Sequence, residues 1–230
     1  MFKALLWDMD NTLLDFGYSE THSLRQTLRR NGIAELTDKQ VAVYSAINDS
    51  KWKLLEQGKL NKAEVMHERF AEFLAYLGAT QLDPDEINQQ YEDGLCDFIL
   101  PIENGLDIVR SLKGKIRQYA VTNGAYNVQK TKLQKTGLDD ILDGAFISDA
   151  VGFEKPSAQF FDYVLAHIIP CEKDEILIVG DSLSSDMLGG NNAGIRCCLY
   201  NPSGREVNTS LRIDYEIHSL NGVYEILNIG

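Results

Sequence analysis

The 230-residue sequence has few cysteines, few basic residues relative to acidic ones, and no long apolar run. Its four cysteines form no Cys-x-x-Cys pair, which excludes the usual zinc spacings and a disulfide framework. Because no segment suits a signal peptide or a membrane span, we expect a cytoplasmic protein without a membrane partner. With 22 basic against 34 acidic residues the net charge is −12, which disfavours a nucleic-acid polymer as partner. Small phosphorylated ligands are compatible with this charge, because a bound metal or one lysine reverses it locally.

The order of apolar and amphipathic segments predicts an α/β fold. Continuous apolar runs suit strands that are covered on both faces. Such runs lie within the predicted strands 4–7, 117–122 and 175–180, with weaker ones within 144–148 and 196–200. Helical patterns lie between them, at residues 105–113, 126–136, 157–168 and 184–193. This alternation predicts a Rossmann-like, doubly wound parallel sheet.

Residues 15–97 interrupt the alternation with one helical pattern after another. Thr37 with Asp38, Asn61, and the Asp83-Pro84 pair are typical helix starts. We therefore predict an all-helical insertion at 15–97, after the first strand. The α/β core is then formed by residues 1–14 and 98–230.

Four polar clusters follow predicted strands or lead into predicted helices. In open α/β sheets such positions share one rim, where ligands bind. The clusters are Asp8-Met9-Asp10-Asn11-Thr12, Thr122-Asn123-Gly124, Glu154-Lys155-Pro156, and residues 180–186 with Asp181 and Asp186.

The paired acids Asp8 and Asp10 indicate a cation site. Two close carboxylates repel each other, so they need a cation or a shared proton. Mg²⁺ prefers oxygen ligands and leaves coordination positions for a substrate phosphate. Asp181 is placed to complete such a site, and Asp186 is either a ligand through water or an acid that caps its helix. The alternative for the first pair is a turn in which Asp and Asn satisfy the backbone.

The other two clusters indicate phosphate binding. Thr122, Asn123 and Gly124 precede a helix, where a hydroxyl and backbone N–H groups can hold a phosphate; the alternative is an ordinary helix N-cap. Lys155 is held at a helix start by Pro156. Its ammonium either neutralises a phosphate and the nearby acids or is solvated at the surface.

Taken in order, these residues resemble the four motifs of the haloacid dehalogenase-like hydrolase superfamily. The matching residues are Asp8-Met9-Asp10-Asn11-Thr12-Leu13, Thr122, Lys155-Pro156 and Gly180-Asp181…Asp186. The helical insertion is similar to the C1 cap of subfamily I. A closer resemblance is to the pyrimidine 5′-nucleotidase branch, carried by Trp52…Gly58…Arg69-Phe70, Thr122-Asn123-Gly124, Thr136-Gly137-Leu138 and Ile147-Ser148…Val151-Gly152…Lys155-Pro156.

The resemblance implies a Mg²⁺-dependent phosphomonoester hydrolase whose small substrate is a nucleoside 5′-monophosphate. It makes Asp8 the nucleophile that forms an aspartyl-phosphate and Asp10 the general acid–base. Dehalogenases of this kind lack an acid at the position of Asp10. The implied metal ligands are Asp8, the main-chain carbonyl of Asp10, and Asp181, with the role of Asp186 open. The implied phosphate-binding residues are Met9, Thr122, Asn123, Gly124 and Lys155.

Three alternatives to a phosphatase are open at this stage. A sugar phosphomutase of the β-phosphoglucomutase type would use the same site if the cap excluded water. A non-enzymatic phosphate-binding regulator would keep the pocket without turnover. A serine hydrolase is weakly suggested by Gly180-x-Ser182-x-Ser184, which lacks the closing glycine of a nucleophile elbow. The sequence leaves open whether the protein is a monomer or a dimer.

Overall fold

The structure is a computed structural model that describes residues 1–229, and it divides the chain into two compact units. The sheet unit contains Met1–Asp15 and the chain from Pro101 onward, and the helical unit is Phe16–Leu100. The boundaries predicted after residues 14 and 97 thus lie one and three residues earlier than those of the structure. The chain changes units where Leu14 bridges Pro101, next to a bond from the Ile102 N–H to the Leu13 carbonyl (2.9 Å).

The sheet unit is built on six parallel strands in the spatial order β3-β2-β1-β4-β5-β6. Their bounds are β1 Ala4–Trp7, β2 Arg117–Thr122, β3 Gly144–Ile147, β4 Ile176–Gly180, β5 Arg196–Tyr200 and β6 Tyr215–Ile217. In the centre of the sheet, Leu6 of β1 lies opposite Tyr119 of β2 and Ile178 of β4. The predicted doubly wound parallel sheet is confirmed, and β6 is an additional edge strand.

The helical unit consists of four helices that the sequence signals locate well. They are α1 Phe16–Arg30, α2 Asp38–Glu56, α3 Lys62–Leu77 and α4 Pro84–Leu95. Thr37 and Asn61 form capping boxes with Gln40 and Glu64, and Asp83 caps α4. Side-chain oxygens of these residues satisfy N–H groups that a helix start leaves unpaired, so the predicted helix starts are confirmed.

Six further α-helices lie in the part of the sheet unit that the structure describes. They are α5 Gly105–Leu112, α6 Tyr126–Thr136, α7 Ser148–Val151, α8 Ala158–His167, α9 Leu188–Ala193 and α10 Gly222–Leu227. The helix expected at 184–193 is instead a π-helical turn, Leu183–Met187, that continues into α9. Within residues 1–229, no helix combines the length and apolarity needed to cross a membrane.

The core of the sheet unit explains why the strands read as continuous apolar runs. All residues of β1 and β4 are buried. Leu6, Val121 and Ile178 pack with Phe160 of α8 and Met187 in one cluster. Burial of this apolar surface stabilises the sheet and thereby fixes the loops at its carboxyl edge.

Candidate active site

The strand order brings three polar loops of the sheet unit together. β1, β2 and β4 are neighbours at the centre of the sheet. Asp8 follows β1, Thr122 ends β2, and Asp181 follows β4. Because the strands are parallel, these residues share one edge, where α/β proteins bind ligands.

Lys155 crosses this edge and is buried, with 1% of its surface exposed. Its Nζ donates to Asp8 Oδ1 at 2.7 Å, to Asp186 Oδ1 at 2.7 Å and to the Val121 carbonyl at 2.9 Å. These three acceptors use all three N–H donors of an ammonium. Lys155 therefore neutralises acids here rather than being solvated, and a phosphate would have to replace one of its present acceptors.

Asp8, Asp181 and Asp186 form the cluster of carboxylates at this edge. Each offers one oxygen, and the three oxygens lie within 4.8 Å of one another. Asp8 also accepts a hydrogen bond from Thr12 Oγ1 at 3.0 Å, so its carboxylate is held from two sides. Three hard oxygen ligands at this spacing fit a small divalent cation such as Mg²⁺.

The electrostatics of the cluster agree with a cation site. Burial, with the charges of Asp186 and Asp181, raises the pKa of Asp8 well above its ordinary value against the opposing effect of Lys155. Burial and Asp186 raise the pKa of Asp181 to about 7. Burial alone would lower the pKa of Lys155, but the charges of Asp186 and Asp8 outweigh it and raise the pKa. One ammonium is thus too little positive charge for three carboxylates, and a divalent cation would supply the rest.

Asp186 takes its place in the cluster because residue 180 is a glycine. A Cβ on Gly180 would lie 2.2 Å from Asp186 Oδ2, so any other residue would displace that carboxylate. The same oxygen accepts from the Ser182 N–H at 3.2 Å. Asp186 is fully buried in the π-helical turn. Its carboxylate accepts from Lys155 at Oδ1 and from the Ser182 N–H, at the start of its own turn, at Oδ2, so its position is compatible with both predicted roles.

The segment Thr122-Asn123-Gly124 holds Lys155 in place, because the Asn123 side chain is hydrogen-bonded to the Lys155 backbone. Asn123 donates from Nδ2 to the Lys155 carbonyl and accepts at Oδ1 from the Lys155 N–H, both at 2.8 Å. The Gly124 N–H donates to Thr122 Oγ1 at 3.2 Å, which leaves the hydroxyl hydrogen of Thr122 as a donor. The N-cap of α6 is Ala125, without a side-chain bond, so this segment is not an ordinary N-cap.

The loop after β1 directs the carboxylates of Asp8 and Asp10, the two acids of the first motif, to different partners. Asn11 adopts a left-handed conformation with φ of 64°, and the Met9 carbonyl accepts from the N–H groups of Leu13 and Leu14 at 2.9 Å. The backbone of the turn is therefore satisfied by main-chain groups. The Asp8 carboxylate is bound by Thr12 and Lys155, and that of Asp10 by side chains from another part of the chain. Met9 itself is fully buried.

Asp10 is bound by two residues that the sequence analysis did not single out. Gln129 Nε2 donates to Asp10 Oδ2 and Lys132 Nζ donates to Asp10 Oδ1, both at 2.6 Å. The side chain of Asp10 is not part of the carboxylate cluster. A signal was present in the sequence: the buried face of α6 is formed by Val128, Gln129, Lys132 and Leu133, of which two are polar. Polar residues on the buried face of an amphipathic helix need partners inside the protein.

Comparison with known proteins agrees with this arrangement. Residues 5–200 match the family model of haloacid dehalogenase-like hydrolases. HAD-hydrolase YfnB of Bacillus subtilis is 34% identical over 228 residues, which are 99% of this chain and 96% of YfnB. A crystal structure of YfnB bound to magnesium superposes with a TM-score of 0.93 over 99% of both chains.

Two further relatives match almost from end to end. Pyrimidine 5′-nucleotidase PynA of Streptococcus pneumoniae is 33% identical over 99% of this chain and 95% of its own. Pyrimidine 5′-nucleotidase YjjG of Escherichia coli is 26% identical over 97% of this chain and 96% of its own. On the fold, the site and these matches, the chain belongs to the haloacid dehalogenase-like hydrolase family.

Proposed function

We propose that this protein is a Mg²⁺-dependent phosphatase that hydrolyses small phosphomonoesters, with nucleoside 5′-monophosphates as its substrates, through an aspartyl-phosphate on Asp8. The observation that carries the proposal is the position of the Asp8 carboxylate. It follows the central strand β1, is bonded to Lys155, and lies in a cluster with Asp181 and Asp186.

Asp8, Asp181 and Asp186 are the residues that would hold the metal, with the Asp10 main-chain carbonyl as a further ligand. The bound Mg²⁺ would neutralise charge on the phosphate oxygens. The relative YfnB has a crystal structure bound to magnesium, which supports magnesium as the cation.

The side chains divide the reaction into two transfers. An Asp8 oxygen attacks phosphorus, forming the aspartyl-phosphate while the bond from phosphorus to the ester oxygen breaks, and Asp10 gives that oxygen its proton. Water then attacks the same phosphorus as Asp10 takes the proton, and the bond to Asp8 breaks. Thr122 and Lys155 bind the phosphate oxygens, with Lys155 exchanging one of its present acceptors for phosphate.

The assignment of a nucleotide as substrate draws on the relatives. PynA and YjjG are both named pyrimidine 5′-nucleotidases, and both match this chain over nearly its whole length. The residues at the edge of the sheet would bind the phosphate group, which all phosphomonoesters share. The alcohol part of the ester must therefore be recognised by other residues. The proposal therefore covers phosphomonoesters as a class and, within it, pyrimidine nucleotides as the preferred esters.

The test is phosphate release from a panel of pyrimidine and purine ribo- and deoxyribonucleotides and sugar phosphates, with Mg²⁺ and with a chelator. We expect release that requires Mg²⁺ and is fastest with pyrimidine nucleotides. Asp8→Asn should abolish it, whereas Asp139→Asn, at an exposed acid of the same unit, should not change it.

Three results would overturn the proposal. The first is no release from any ester, and the second is full activity of Asp8→Asn. The third is interconversion of sugar phosphate isomers faster than phosphate release, which would make the protein a mutase.

A further inference from the structure

We propose that Gln129 and Lys132 are positioning residues that hold the Asp10 carboxylate where it exchanges a proton with the ester oxygen. The inference rests on the proposed function, because it concerns the step in which the alcohol leaves. Neither residue belongs to the four motif segments of the sequence.

The first observation is that each oxygen of Asp10 has its own donor from α6. Gln129 Nε2 binds Oδ2 and Lys132 Nζ binds Oδ1, both at 2.6 Å. The two donors are three residues apart, so they lie on the same face of the helix. Both are buried, with 1% of their surface exposed. Two donors on one rigid helix fix the rotation of the carboxylate plane, which one donor would leave free.

The second observation is the space that Gly124 leaves for Gln129. A Cβ at residue 124 would lie 2.0 Å from Gln129 Nε2 and 2.7 Å from its Cδ. The Gln129 side chain therefore reaches Asp10 by crossing the backbone of the loop that follows β2. The contact between Gln129 and Asp10 therefore requires a glycine at position 124, whether or not a ligand is bound.

The third observation is that the Gln129 amide donates to Asp10 although its own oxygen is left unpaired. Its Oε1 is buried and has no hydrogen-bond partner among residues 1–229. Reversal of the amide would turn that oxygen toward the Asp10 carboxylate, where two acceptors repel each other. The amide thus leaves its own oxygen unpaired in order to donate to Asp10, which is a cost that core packing alone does not explain.

Proton transfer requires a donor and an acceptor within hydrogen-bond reach, so the direction of the Asp10 carboxylate matters for the rate. The requirement depends on the ester. A nucleoside or sugar leaves as an alkoxide, which must be protonated as its bond to phosphorus breaks. A nitrophenolate is stable without a proton, so its departure does not depend on Asp10.

The experiment compares kcat/KM for two substrates, uridine 5′-monophosphate and p-nitrophenyl phosphate, because this constant reports the steps up to transfer of phosphorus to Asp8. The variants are Gln129→Leu and Lys132→Met. Their matched controls are Gln134→Leu and Lys130→Met, at exposed positions of the same helix. If the panel shows a better alkyl ester than uridine 5′-monophosphate, that ester replaces it.

We expect each variant to lose about 10-fold or more with the alkyl ester and less than about 3-fold with p-nitrophenyl phosphate, within the range attributed to general acid catalysis. The controls should keep the wild-type ratio. Lys132→Arg, which keeps a charged donor, should recover part of the ratio lost in Lys132→Met. Should Lys132→Met not fold, Gln129→Leu makes the same comparison with a neutral residue.

Equal losses with both substrates, or no loss with either, would overturn the inference, because a general disturbance of the site does not distinguish leaving groups. Either result would leave the proposed function intact as long as the wild-type protein releases phosphate. If the wild-type protein hydrolyses neither substrate, it is the proposed function that fails.

Discussion

Replacement of Lys155 by methionine tests the electrostatic account of the site. The substitution keeps most of the side-chain volume and removes the ammonium. Asp8 and Asp186 are buried and each is 2.7 Å from Lys155 Nζ, so both lose their counter-charge. Removal of one partner from a buried ion pair costs about 3–5 kcal/mol, whereas an exposed pair contributes about 1 kcal/mol or less. This loss is a large part of the roughly 5–15 kcal/mol by which a protein is stable.

The assay is equilibrium unfolding in urea at neutral pH with a chelator, and Lys115→Met serves as the control at an exposed lysine. We expect Lys155→Met to lose at least about 3 kcal/mol in the free energy of unfolding and the control to lose less than about 0.5 kcal/mol. Addition of Mg²⁺ should stabilise Lys155→Met more than wild type, because the cation replaces the missing charge. A variant that unfolds within about 1 kcal/mol of wild type without metal would refute this account of the buried charges.

Three further substitutions test other parts of the structure. Asn123→Ala removes two bonds to the Lys155 backbone and should cost about 1–3 kcal/mol in urea unfolding, together with a lower kcat. Gly180→Ala places a Cβ against Asp186 and should weaken Mg²⁺ binding about 10–100-fold by calorimetric titration; unchanged affinity would contradict the contact. Burial raises the pKa of Glu20 from 4.5 to about 7, so wild type loses stability as the pH rises through that interval. Glu20→Gln lacks this loss, and its stability relative to wild type should increase by about 3 kcal/mol between pH 4.5 and pH 8; parallel pH profiles would contradict the shift.

The fold could be predicted from the sequence because its signals are local. Ala4–Trp7 is a continuous apolar run, Arg117–Thr122 contains the apolar run 119–121, and Asn61 begins a capping box. The strand Tyr215–Ile217 was not predicted because it is short and lies at the edge of the sheet, where β5 is its one neighbour among residues 1–229. Its position depends on pairing with a distant segment, which no local pattern reveals.

The acids of the site were predictable as a group, but their partners were not. Asp8, Asp181 and Asp186 end up together because parallel strands place them on one edge, and a rule about strand ends captures that. The contacts of Asp10 with Gln129 and Lys132 depend on the orientation of α6 over the sheet. The contact with Gln129 also depends on the space that Gly124, which has no side chain, leaves for it. Both depend on tertiary structure. The sequence indicated them only indirectly, through polar residues on a buried helix face.

Chemical trapping of the covalent intermediate shows directly whether the Asp8 carboxylate is the nucleophile. The protein is mixed with substrate and Mg²⁺, quenched in acid and reduced with borohydride, which converts an aspartyl-phosphate into homoserine. Peptide mass spectrometry then locates the reduced residue. We expect homoserine at position 8 in wild type and none in Asp8→Asn. Phosphate release without any reduction at position 8, or homoserine at another aspartate, would contradict it.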